Sequence, residues 1–202
     1  MKADAAPGGP IEALVQQGQI VLAAELRGIG ETETGHNKKV WSRVHFGQDI
    51  QDVLLAYLLG QSYVGLRTED VSAWTHVLSN FPSAANKPTE LHLVAIGEAA
   101  IPALHAAALN PGAFRTVTLR QMLRSWHDLV AAQESRDQAV NVVHGALRHY
   151  DLTDLVELAG TAKVKVLDPA NPLGNRSIPP SDSLETKATP CRPSSRQTLA
   201  TV

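Results

Sequence analysis

The chain has 202 residues, 44% of them hydrophobic, enough to bury one ordinary core and too few for two full domains. Eighteen basic against 20 acidic residues give a formal net charge of -2 with no long run of either sign, which argues against a nucleic-acid-binding surface. Cys191 is the single cysteine, so neither a disulfide nor a cysteine-rich zinc site can form within the chain, and no segment approaches the roughly 20 apolar residues of a membrane span.

Residues 1–10 are small and rich in Pro and Gly, the composition of a loose arm, and IEALVQQG after them reads as a short helix. Gln19 to Leu26 is a continuous apolar run, the pattern of a strand buried in a parallel sheet, and Gly28 and Gly30 break it. Apolar residues recur at helical spacing from Asp49 to Leu59 and from Glu69 to Leu78, with Gly60 and Gly65 marking the connection. Pro82 to Pro88 is a turn. Leu91 to Ile96 is a second buried strand, followed after Gly97 by the helix-favouring AAIPALHAAAL. Phe114 to Leu119 alternates as a third strand, Leu123 to Ala132 reads as a helix and Lys163 to Leu167 as a fourth strand.

Strands separated by helices predict a parallel-sheet α/β fold over residues 11–174. Residues 175–202 are rich in Ser, Thr and Pro with few large apolar side chains, and are expected to form a disordered tail. The N-terminus has no apolar run long enough for a signal peptide. Neither glycine-bearing loop gives G-x-G-x-x-G in a strand-to-helix turn, and no cofactor is expected.

Three stretches carry a family resemblance. VLAAELRGIGETE is similar to an apolar strand followed by Asp-x-Arg-Gly-x-Gly, with Glu25 where Asp is usual. AYLLGQSYVGLRTEDVSAWTHVL contains a Gly-x-Arg-x-x-Asp step at Gly65, Arg67 and Asp70. HYDLTDLVEL spans His149 to Leu158. In this order they resemble the α/β-hydrolase superfamily, in particular its acetyl xylan esterase and prolyl-oligopeptidase-like branch. The resemblance implies that the sequence starts about three strands into that fold, which would expose a sheet edge and favour self-association.

It also implies what stands at each catalytic position. Such hydrolases set Ser in G-x-S-x-G, on a tight strand-to-helix turn that tolerates only small neighbours. Here the stretch is Ala95-Ile96-Gly97-Glu98-Ala99-Ala100, so Gly97 replaces the nucleophile. Glu98 takes the place of the residue whose backbone N–H serves the oxyanion hole, and its carboxylate opposes a developing negative charge. The acidic member falls on Asn171 or Asp168 in KVKVLDPANPLG, and no histidine follows His149 to act as base. The implied ligand is a small carbohydrate ester, and the expected protein is impaired in the serine mechanism, or is a non-catalytic binding module or a fragment of a longer hydrolase.

Eight histidines allow one sharper alternative. A Glu98 base partnered by His144, or by His149 with Asp151, would activate water instead of forming an acyl-enzyme. No H-E-x-x-H spacing supports a metal site, and His105, seven residues beyond Glu98, reads as a structural helix-face residue. Arg27, Gly28 and Gly30 read as loop-holding residues, and Trp41, Trp74 and Trp126 as packing anchors. Ser62, Ser125 and Ser135 lack the elbow context of a nucleophile.

Overall fold

The computed structural model describes residues 6–33, 50–81, 90–173 and 198–201. Helix α1 (Pro10–Gln16) starts on its proline, where the missing N–H costs nothing. It leads into strand β1 (Ile20–Ala23). Helices α2 (Ile50–Leu58) and α3 (Tyr63–Ser79) form a hairpin, followed by β2 (Leu91–Ile96) and α4 (Ala100–Leu109). Strand β3 (Thr116–Arg120), helix α5 (Trp126–Ala131), helix α6 (Leu152–Ala159) and strand β4 (Val164–Leu167) complete the alternation.

The fold is α/β, as the alternation of apolar runs and helices requires. Strands β2, β3 and β4 lie side by side and parallel, with Leu93 opposite Val117 and Val117 opposite Val164. Leu91, Leu93 and Ala95 alternate into the core from β2, and Val117 and Leu119 do so from β3. Helix α4 packs between α3 and α6. Its alanines 100, 103, 106, 107 and 108 are all buried, and their small side chains let the helix approach its neighbours closely. Pro102 sits in the first turn, where an α-helix has no use for the N–H that proline lacks.

Three expectations are corrected. Helix α3 begins at Tyr63, six residues earlier than its apolar spacing predicts, because the Ser62 hydroxyl accepts a hydrogen bond from the Gly65 N–H at 2.8 Å and caps the helix. Gly65 therefore belongs to the first turn, not to the connection. The first strand is shorter than predicted: it ends at Ala23, although Ala24 and Leu26 remain buried beyond it. The tail expected to be disordered contains a strand, β5 (Thr198–Thr201), inserted in parallel between β1 and β2. Two parallel strands one strand apart leave their facing backbone groups unpaired, and β5 supplies the partners. The rest of that tail and the Pro82 to Pro88 turn lie outside the described residues.

The loop after β1 is held by its own acid. Glu25 accepts a hydrogen bond from the Glu31 N–H at 2.7 Å, and the Thr32 hydroxyl donates to the Leu26 carbonyl at 2.8 Å. Gly30 lies at φ 62°, and a Cβ there would run into the Glu25 carboxyl group. A Gly30→Ala variant meets left-handed strain, and the Glu25 carboxyl must swing away from the Glu31 N–H, so it should lose about 1–2 kcal/mol of stability. Thermal denaturation should show a clear fall in Tm; an unchanged Tm would mean that the loop is not packed as described.

Candidate functional site

In open parallel sheets the loops after the strands converge at the carboxyl edge, the usual place for a ligand. Here that edge carries the β1 loop, the β2 elbow, and the ends of β3 and β4. Gly97 follows β2 at φ 66°, and the space where its side chain would stand is open. A single turn of 3-10 helix (Gly97–Ala99) then passes directly into α4. Glu98, partly exposed, receives the Arg67 guanidinium through Oε2 at 3.4 Å.

Arg67 reaches there from inside the protein. Its side chain is 0% exposed, its Nε donates to the Arg27 carbonyl at 3.0 Å, and its guanidinium lies 4.5 Å from the centre of the Tyr63 ring. The Tyr63 hydroxyl donates to the same carbonyl at 3.2 Å. Arg27 turns its own side chain to Asp70, with Nε at 2.8 Å and Nη2 at 2.5 Å, a bidentate pair that fixes orientation as well as charge. Burial works against the Asp70 carboxylate, but the Arg27 hydrogen bonds prevail and hold it below the usual range. The motif residues Arg27, Arg67 and Asp70, distant in sequence, thus form one network behind the elbow.

The remaining sequence-derived candidates are dispersed. Asp168, at φ 46° just beyond β4, pairs with Arg120 at the end of β3 at 2.9 Å. Asn171 lines an open cleft of about 480 Å³ with Arg124, Asp128, Ala131, Pro169 and Ala170, beyond the ends of β3 and β4 and not at the elbow. His144 is exposed and sets its ring edge-on to Tyr57, 5.0 Å between centres. His149 is exposed at the end of a 3-10 turn (Ala146–Arg148). The bonds that fix Glu98 and Asp168 run to arginines, not to these histidines. Among the described residues no cluster of metal-ligating side chains is present, and no helix is long and apolar enough to cross a membrane.

His105 is structural, as its helix-face position suggests. Its Nδ1 faces the Ile101 carbonyl at 2.9 Å, which makes it the donor there and leaves Nε2 to accept from the Tyr150 hydroxyl at 3.1 Å. Burial lowers its pKa, keeping the ring neutral. Trp126 is a packing anchor, 3% exposed, whereas Trp74 is 39% exposed and anchors nothing comparable. Trp41 lies outside the described residues.

Asp151, expected beside His149 as a partner for Glu98, is instead the centre of a separate polar cluster. Asp151 accepts hydrogen bonds from the Ser125 hydroxyl, from the Trp126 N–H at 2.8 Å and from the Leu152 N–H at 2.7 Å, with His127 Nδ1 3.1 Å away. It caps α6 and ties down the start of α5, while Asp154 reaches back to the Asp151 N–H at 2.8 Å. The Asp-x-x-Asp spacing at 151–154 was the readable signal. A Ser, a His and an Asp meet here, but the Asp is central and the Ser hydroxyl donates to it, so the arrangement lacks the histidine-mediated relay of a triad. No known protein family, curated protein or solved structure matches the chain.

Desolvation opposes the Asp151 charge, but its donors outweigh that and bring its pKa down to about 2. A carboxylate depressed on folding contributes stability that is complete above its unfolded pKa and disappears as pH falls through its folded pKa. An Asp151→Ala protein should be less stable than the parent by about 2 kcal/mol near neutrality. The gap between the two should narrow as pH is lowered from about 4 to about 2. Paired thermal melts across that range test this; a gap independent of pH would assign the cost to packing alone.

Proposed function

We propose that the chain is a hydrolase-like α/β protein, related to acetyl xylan esterases, that has lost the serine mechanism and holds a small carbohydrate-ester-like ligand at its sheet edge without turning it over. The observation that carries this is the elbow: a strand-to-helix turn at φ 66° with open space at its apex and glycine at the nucleophile position. Such a turn supports a nucleophile only if a hydroxyl, thiol or carboxylate stands on it, and Gly97 has none of these. The Arg67 network supports the reading too, because it fixes the elbow from behind independently of any chemistry at its apex.

Water activation by Glu98 is the weaker alternative. Its Oε2 faces a buried guanidinium, and the orienting histidine that such a base requires is engaged elsewhere or lies at an exposed turn. The purified chain should therefore leave p-nitrophenyl acetate and acetylated xylo-oligosaccharides unhydrolysed above buffer and resist a fluorophosphonate serine probe. Acetylated xylo-oligosaccharide should shift amide resonances around Gly97, Glu98 and Arg120. Saturable hydrolysis abolished by Glu98→Gln would overturn the reading in favour of water activation; absence of any shift would remove the ligand from it.

The elbow also makes a structural prediction. Because nothing occupies the side-chain position, Gly97→Ser should fold, at a cost of about 1–2 kcal/mol for a non-glycine residue at positive φ. A loss of cooperative unfolding in that variant would show that the apex is not open.

A further inference from the structure

Helix α2 is more apolar than its burial explains. It buries only Ile50 and Ala56, while Leu54, Leu55, Tyr57, Leu58 and, just beyond its end, Leu59 remain between 53% and 78% exposed. Its inner face rests on α3 and on the 3-10 turn Ala139–Asn141. Trp74, Val77 and Phe81, on and just beyond α3, are less exposed, between 39% and 49%, and Leu109, Val130 and Leu158 lie on separate helices. The five residues at the end of α2 and just beyond it instead fall within six consecutive positions and offer roughly 600 Å² of apolar surface, at the upper end of what an isolated protein normally shows to water.

We infer that this face is the contact between two copies of the chain, packed about a two-fold axis. A two-fold contact brings the same patch together from both copies, so an uncharged apolar patch is complementary to itself. From Val53 to Leu59 there is no charged residue, and the one nearby, Asp52, lies in the first turn. The area fits as well: roughly 600 Å² from each copy, widened by the polar rim that any such contact acquires, approaches the roughly 800 Å² per partner of a specific interface. A membrane surface suits the helix less, since helices that lie in lipid headgroups carry Lys or Arg on the polar face, and α2 has neither.

Sedimentation of the full chain, in reductant to exclude cross-linking through Cys191, tests this over a dilution series. The chain should pass from dimer to monomer on dilution. Leu58→Glu, at the most exposed position, and Leu59→Lys, outside the helix, should each weaken association at least about tenfold with unchanged circular dichroism. Leu109→Glu, equally apolar and 70% exposed on α4, should associate as the parent does. A monomer at every concentration would overturn the inference. So would equal weakening by Leu109→Glu, or flotation of the chain with phosphatidylcholine–phosphatidylserine vesicles in place of dimerisation.

Discussion

The Arg67 guanidinium is wholly buried, and a buried cation survives in a protein only where its donors are met. Among its partners are the Arg27 carbonyl in the loop after β1, the Glu98 carboxylate at the β2 elbow, and the tyrosine one turn before it on α3. Removing any one leaves the charge less satisfied, so the three are obliged to keep their relative places. The β1 loop is further fixed by Arg27 on Asp70, one turn beyond Arg67 on the same helix. Helix α3 thus acts as the bracket on which the carboxyl edge of the sheet is mounted. Breaking a buried ion pair on one side commonly costs about 3–5 kcal/mol, more than the worth of most single side chains in so small a core.

That dependence separates two kinds of glycine in the chain. At Gly30 a side chain would displace the Glu25 carboxyl group from its bond to the Glu31 N–H. Gly97 is required by nothing beside it, only by its own backbone conformation. A position with positive φ and free space is where a functional side chain could stand at modest strain, and here it holds none. The surrounding structure maintains the turn with no side chain at its apex.

Strands β2, β3 and β4 and the crossover helices were legible because strands buried in a parallel sheet must be apolar runs and the helices between them must be amphipathic or small. Ala103, Ala106 and Ala107 in α4 carry that signal by size as much as by polarity. The onset of α3 was not legible from apolar spacing. Its first turn includes a glycine, and the cap that starts it is a single serine hydroxyl. Strand β5 was not legible either, because four residues reading TLAT gain their conformation from β1 and β2, more than a hundred positions away. The candidate site divides the same way. Gly97 and Glu98 were found from the local strand-turn-helix pattern, but the partner of Arg67 is a backbone carbonyl 40 residues off, and no side-chain pattern encodes a carbonyl.

The histidines show why residue type alone misdirects at such a site. His105 is a histidine on the helix that follows Glu98, yet both of its ring nitrogens are committed, one to the backbone of its own helix and the other to Tyr150. A ring whose tautomer is fixed by two structural hydrogen bonds, and whose burial keeps it neutral, cannot shuttle a proton without breaking one of them. His127, exposed beside a strongly acidic Asp151, has the opposite freedom but no nucleophile to serve, since Ser125 already donates its proton to that carboxylate. Polar groups here are consumed by capping helices and closing loops. The carboxyl edge of the sheet carries two acids held by arginines, Glu98 and Asp168, and an open apex at Gly97.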